Sequence, residues 1–272
     1  MVHVVSRRAF LGMASASVFA AACRAESPPP SSASPSPGPS RIRAVAFDLF
    51  TLFDPRTVLR VADTVVPGRA RALCEAWQAR QFEYTWIRAC AGRYVDFRSV
   101  TEESLVYAAG AQRVELSEGA RATLTGAYER LDPWPDTRAA LEALKRAGLV
   151  LAPLTNFSPS MIENLLASAG MRGSFDAILS TDRVRTYKPD PRAYELGPRM
   201  LGVPREAIAF AAFGGWDAAG ARWYGYPTFW VNRLGVPKEE LSPGADGAGS
   251  TLGELVTWVL GWPHGSRVRS AS

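Results

Sequence analysis

The chain has 272 residues and carries 31 lysines and arginines against 26 aspartates and glutamates, a formal charge of +5. That excess is modest, several of the cations sit at the two ends, and no basic stripe is interleaved with aromatic residues, which argues against a nucleic-acid partner. With the front end set aside, some 220 residues remain, enough for one domain with a sizeable core or a core plus a covering block.

The front end reads as a bacterial export signal over residues 1–23. Ser6-Arg7-Arg8-Ala9-Phe10-Leu11 precedes an apolar run from Gly12 to Ala22, the pattern of a twin-arginine signal. The run is too short to cross a bilayer comfortably. The expected partner during export is the twin-arginine translocase, and the expected destination is the periplasm or cell envelope. Ala20-Ala21-Ala22-Cys23 closes the segment. Small residues before a cysteine fit either a peptidase site or a lipoprotein site acylated at Cys23. Ala20 stands where lipoprotein signals carry a large aliphatic residue, so both readings stay open. Residues 24–40, with PPPSSASPSPGPS at 28–40, can bury no core and read as an extended Pro/Ser-rich linker. Membrane contact is expected only through a lipid on Cys23.

Residues 42–48 form the first predicted strand, ending in Asp48, with Thr51 in the tight turn beyond. Residues 54–132 show helical periodicity and no good buried strand. Within them Ala72, Ala76, Ala79, Phe82, Trp86 and Cys90 recur at three- and four-residue steps, which predicts one long helix over 68–91 with that apolar stripe. Residues 93–100 read as a connection, Thr101 as the cap of the next helix, and Leu116-Ser117-Glu118 as the start of another reaching about Leu131. Strands and helices then alternate: helix 135–147 stopped by Gly148, strand 149–154, helix 159–169, strand 177–179, and helix 191–201 stopped by Gly202. Strand 208–213, helix 217–224, strand 228–231 and helix 251–260 complete the set. This alternation predicts an α/β fold with a Rossmann-like, mostly parallel sheet core over 41–53 and 133–262. An all-helical cap is inserted at 54–132, and 263–272 reads as a disordered tail. Cys74 and Cys90 fall on one predicted helix, sixteen residues and so roughly 24 Å apart, which rules out a disulfide and predicts two packed thiols. The aromatic residues of that helix, Trp77, Phe82, Tyr84 and Trp86, serve either packing within the cap or a homodimer surface, the first being favoured.

An aspartate at the carboxyl end of a buried strand stands where open α/β sheets hold their reacting groups. Asp48 there can attack an electrophilic carbon or phosphorus and form an ester that water later breaks; the bland alternative is an aspartate that caps a turn. Three further stretches converge on it. Thr155 and Asn156 leave the strand at 149–154, either to bind an oxyanion or carboxylate or to cap the next helix, a task that Ser158 can perform equally well. Lys188, fixed before Pro189, would keep Asp48 ionised and ordered, although alone it reads as a surface lysine. Asp217 can hold Lys188, orient water or cap the helix that follows. One polar group at each strand end is the joint signal, and it points to an enzyme.

On these residues the chain resembles the haloacid dehalogenase superfamily, and within it the L-2-haloacid dehalogenase (type II) branch. The likeness is carried by FDLFTLFD (47–54), RQFEYTWIRACAGRYVDF (80–97), LKRAGLVLAPLTN (144–156), YKPDPRAYEL (187–196) and WDAAGARWYGYPTFWVNR (216–233). The resemblance implies a site between core and cap. It implies Asp48 as the nucleophile that displaces halide, with inversion, from a short (S)-2-haloacid, giving an ester that water hydrolyses. It further implies that Thr51 supports Asp48, that Thr155 and Asn156 bind the substrate side, that Lys188 stabilises the nucleophile, and that Tyr194 and Asp217 complete the polar shell. The implied partner is a small 2-substituted carboxylic acid, with no cofactor and no metal. Phe50 stands where the phosphatase branches carry a second aspartate, which argues against phosphate transfer.

The chain also departs from that pattern. The family's halide-binding arginine follows a tryptophan; here Gln78 follows Trp77, and a neutral amide brings no full charge to a departing anion. Arg80 lies roughly 200° further round the helix. Arg56, just past Asp54-Pro55, is the candidate substitute from the core side. Ala212-Phe213-Gly214 replaces Ser-Ser-Asn, Phe157 replaces a glycine, and the first motif is one residue short, so that Phe50 runs straight into Thr51. Three readings follow. The first is a haloacid dehalogenase. The second is a hydrolase on the same scaffold with another substrate. The third is an exported, non-catalytic small-acid-binding protein with a degenerate site.

Overall fold

The computed structural model describes residues 41–262. The export signal with Cys23, the linker at 24–40 and the tail at 263–272 lie outside the described residues. Strand β1 (Ala44–Phe47) is followed by a one-turn helix α1 (Leu49–Leu52) and strand β2 (Phe53–Asp54). Four helices come next: α2 (Arg56–Val65), α3 (Ala70–Ala91), α4 (Phe97–Ala111) and α5 (Glu118–Gly126). Strand β3 (Asp132–Pro133) then pairs antiparallel with β2, Phe53 opposite Pro133 and Asp54 opposite Asp132. The helical stretch therefore leaves and returns through one narrow stem.

Beyond the stem the chain alternates. It forms α6 (Thr137–Arg146), β4 (Val150–Thr155), α7 (Pro159–Ser168), β5 (Leu179–Ser180), α8 (Pro191–Tyr194) and α9 (Leu196–Leu201). It ends with β6 (Ile208–Ala212), α10 (Gly215–Tyr224), β7 (Thr228–Val231), β8 (Gly247–Gly249) and α11 (Leu252–Leu260). Six strands form a parallel sheet in the order β5-β4-β1-β6-β7-β8. From β1 the chain moves to β4 on one side and only later to β6 on the other. The strand order reverses about β1, and such a reversal opens a crevice at the carboxyl ends of the strands. Register sets Phe47 beside Pro153 of β4 and Ala211 of β6, so the residues after all three strands emerge together.

The sheet is buried on both faces, as its continuous apolar strands require. Val45 and Phe47 of β1 join a core that runs into the helical stretch, while Ala44 and Ala46 face a second core with Tyr194, Phe210 and Tyr226. Burying Phe47 completely contributes about 1.5–3 kcal/mol.

Several local expectations need correction. The buried stripe of α3 is Ala70, Leu73, Trp77, Gln81 and Thr85; Ala72 and Ala79 are exposed. The polar members of the true stripe find partners on α4. The Trp77 indole donates to the Thr101 carbonyl at 2.8 Å and the Gln81 amide to the Thr101 hydroxyl at 2.7 Å. Paired polar groups can be buried without penalty, and a hydrophobicity pattern skips them. Thr101 is accordingly interior to α4, its hydroxyl donating to the Phe97 carbonyl. The helix starts at Phe97, inside the stretch read as a connection, and its cap is Asp96, which accepts the Ser99 amide at 3.0 Å. Cys74 is partly buried and Cys90 is exposed; both thiols are free, so the second is not packed. The helix expected over 191–201 breaks at Glu195. Pro198 has no N–H to give the Tyr194 carbonyl, and the Tyr226 hydroxyl donates there instead.

Candidate active site

Asp48 follows β1 directly and is the N-cap of α1. Its Oδ2 accepts the Phe50 amide at 3.1 Å, and its Oδ1 faces the Lys188 ammonium at 2.7 Å. The same ammonium lies 2.6 Å from Asp217 Oδ2 on the first turn of α10. Asp217 Oδ1 in turn accepts the Tyr194 hydroxyl at 2.7 Å. Lys188 is held by its backbone as well, its amide donating to Asn156 Oδ1 at 2.9 Å. The result is one chain of contacts: Asp48, Lys188, Asp217, Tyr194.

The energetics of that chain depend on pairing. Lys188 is 2 % exposed, and taking an ammonium out of water costs several kcal/mol. Burial alone would lower its pKa, but the carboxylates of Asp217 and Asp48 outweigh burial and the net direction is upward, so the lysine stays charged. Burial pushes Asp217 the other way for a carboxyl, up to about 6, in spite of the lysine. Burial and the adjacent Asp217 raise the Tyr194 phenol well above its usual value, so it keeps its proton and remains a donor. Close helix approach is part of the design. A Cβ on Gly220 of α10 would come within 2.6 Å of the Tyr194 hydroxyl and 2.7 Å of Pro189 Cβ. Glycine is what lets α10 carry Asp217 against Lys188.

Above this cluster lies a cavity of about 210 Å³. Asp48, Lys188, Asp217, Thr155 and Asn156 reach it from the sheet, and Gln78 reaches it from α3. These six predicted residues are thus brought together. Thr155 and Asn156 do not cap α7: the Thr155 hydroxyl accepts the Phe157 amide at 3.2 Å, and Asn156 serves Lys188.

Three predicted residues are not brought to the cavity. Thr51 is fully buried, and its hydroxyl donates to the Asp48 carbonyl at 2.6 Å; it shapes the turn and does not touch the carboxylate. Tyr194 is fully buried behind Asp217 and acts on it, not on a ligand. Arg56 clamps Asp54 with Nε–Oδ1 and Nη2–Oδ2 contacts of 2.9 Å and lies 4.9 Å from the Trp134 ring centroid. It lines a neighbouring cavity of about 180 Å³ that shares Phe50 and Gln78 with the first. Arg80 also faces away, paired with Glu83 at 2.7 Å and set over Tyr107.

The cavity also has residues that were not among the predicted site residues. Phe82 and Phe97 descend from the helices, while Phe213 and Gly214 come from the β6–α10 turn and Gly215 and Trp216 from the first turn of α10. Val236 and Glu239 belong to the loop after β7, which folds back over the same opening. Phe82 and Trp86 pack on Trp216 with ring centroids 5.4 and 5.7 Å apart, joining α3 to α10. The aromatic content of α3 was visible in the sequence, but its partner was not. No periodicity marks Glu239.

Comparison with known proteins agrees with this fold. A model of the haloacid dehalogenase-like hydrolase family matches residues 42–225. The chain is 43% identical over 216 residues to an (S)-2-haloacid dehalogenase of Pseudomonas sp. (strain YL), covering 79% of this chain and 93% of that protein. A solved L-2-haloacid dehalogenase superposes with a TM-score of 0.79 at 43% identity, covering 81% of this chain and all of the other. The L-2-haloacid dehalogenase of Xanthobacter autotrophicus, solved with chloropropionic acid covalently bound, gives a TM-score of 0.76 at 35% identity over 82% of this chain and 100% of that one. Fold and sequence agree: the chain belongs to the haloacid dehalogenase-like hydrolase family.

Proposed function

We propose that the chain hydrolyses (S)-2-haloacids by the covalent route. The observation that carries the reading is the Lys188 ammonium held between Asp48 and Asp217 at the floor of a closed-in cavity. The lysine orients the Asp48 carboxylate for attack. An Asp48 oxygen forms a bond to C2 from the face opposite the halogen. The carbon–halogen bond breaks, and halide leaves with the electron pair. Water then adds to the ester carbonyl carbon, its proton passing to Asp217, whose raised pKa suits a group that takes up and returns a proton near neutrality. Cleavage of the acyl C–O bond releases the 2-hydroxy acid of inverted configuration and restores Asp48.

The experiment is halide release from (S)-2-chloropropionate, with mass spectrometry of the protein under single turnover. Halide together with an ester adduct on Asp48 is expected. A folded sample that gives neither would remove this reading. Gln78 favours a second one, because among the described residues the roof holds no cation for a departing halide: the same ester chemistry with another leaving group. Under that reading an adduct forms on Asp48 from a 2-substituted acid that bears no halogen.

Export is proposed on the sequence at 1–40 alone, with the twin-arginine translocase as carrier and the cell envelope as destination. Replacing Arg7 and Arg8 by lysine should retain the precursor inside the cell. Normal export of that variant would refute the proposal. Labelling with a radioactive fatty acid, lost in Cys23→Ser, tests the lipid anchor.

A further inference from the structure

We infer that the preferred substrates are 2-haloacids with an aromatic group on C3, not the shortest members of the class. The inference rests on the dehalogenase reading and deepens it. Six aromatic side chains line the cavity above Asp48: Phe50, Phe82, Phe97, Phe157, Phe213 and Trp216. Four of them, Phe50, Phe82, Phe213 and Trp216, are only partly buried, so apolar ring surface faces the cavity. Neighbouring pairs sit edge to face, Phe50 with Phe157 at 5.9 Å, Phe50 with Phe213 at 5.7 Å and Phe82 with Trp216 at 5.4 Å. Rings so arranged offer both faces and edges to a further ring.

Charge points the same way. Among the described residues the ionisable groups at the cavity are Asp48, Lys188, Asp217 and Glu239, three carboxylates against one ammonium. Among the described residues no arginine lines it. Two of the three Lys188 donors are already spent on Asp48 and Asp217. A two- or three-carbon haloacid presents little but its carboxylate and its halogen, and for these the site has one remaining ammonium donor, Thr155, the Asn156 and Gln78 amides and the Trp216 indole. Most of its lining is left without contact. An acid with a phenyl group removes that lining from water. The ring itself finds room: the cavity is about 210 Å³, and an apolar cavity of about 150 Å³ holds benzene.

The test compares kcat/KM for bromide release from (S)-2-bromo-3-phenylpropionate, (S)-2-bromohexanoate and (S)-2-bromopropionate by the purified full chain. The phenyl acid is expected to exceed bromopropionate by at least tenfold, mainly through KM, with bromohexanoate between them. A bromopropionate value equal to or above the phenyl value overturns the inference and leaves the dehalogenase reading standing. Bromide from none of the three overturns both. Equality of bromohexanoate and the phenyl acid overturns the aromatic preference. Phe82→Ala, which alters a partly buried ring, should cut the phenyl-to-methyl ratio at least threefold; an unchanged ratio would mean that the ring does not lie against this wall, and would also overturn the inference.

Discussion

The floor of the cavity is made by strand ends and the roof by two helices, and the two are built on different principles. In the floor, Asp48, Lys188, Asp217 and Tyr194 hold one another at 2.6–2.7 Å, and no buried polar side-chain atom among them lacks a partner. In the roof, Phe82 offers ring surface, Phe97 is buried against Phe157, and Gln78 is exposed. A network of charges in a poorly polarisable interior tolerates little change, because removing one member strands the others. An aromatic wall tolerates much more, since each ring is exchanged at the cost of its own contacts. The floor therefore sets the reaction and the roof sets what reacts.

That contrast is broken most severely at the nucleophile. Asp48→Asn should lower turnover by about 10⁴-fold or more, read as halide release, while circular dichroism stays unchanged. Lys188→Ala should cost about 10³-fold in kcat and also destabilise the fold by about 3–5 kcal/mol in urea titration, since two carboxylates lose their shared cation. The pH profile is the next probe. Burial holds the Asp217 pKa up at about 6, so the carboxylate is ionised above that pH and protonated below it. kcat should fall as pH drops through about 6, and Asp217→Asn should remove that limb along with about 10²-fold of rate. In the roof, Gln78→Arg should raise turnover of short 2-haloacids by roughly tenfold, because a cation then meets the departing anion. Arg56→Ala should change turnover less than twofold and stability by about 1–2 kcal/mol, because Arg56 is exposed while its partner Asp54 is buried and keeps Arg60 at 3.6 Å. A large rate loss there would mean that the two cavities act as one.

The same division governs what could be read from the sequence. Floor residues lie at the ends of β1 and β4 and at the start of α10, where strand periodicity and the rule for reversed strand order place them without tertiary knowledge. Lys188 was legible through its motif, and its contact with both carboxylates followed. The roof was harder. The stripe of α3 was read a step out of phase, because Gln81 and Thr85 are buried by pairing with α4 and with their own helix, a fact that no single-helix pattern contains. Thr51 and Tyr194 were assigned to the right neighbourhood, yet one bonds a backbone carbonyl and the other stands behind Asp217. Glu239 and Val236 were invisible, since a loop that folds back leaves no local signature. Strand β8 was missed for a related reason: Gly247-Ala248-Gly249 has no β-branched residue, and only pairing with β7 makes it a strand.

The stem of β2 and β3 has a consequence for engineering. Because Asp54 and Asp132 are direct cross-strand neighbours, everything between them is a closed excursion whose two ends meet whatever its contents. The entropy of bringing distant ends together grows only slowly with the length between them. The intervening helices are therefore a graftable module: a different set, spliced at those two residues, would inherit an intact nucleophile and a new vestibule.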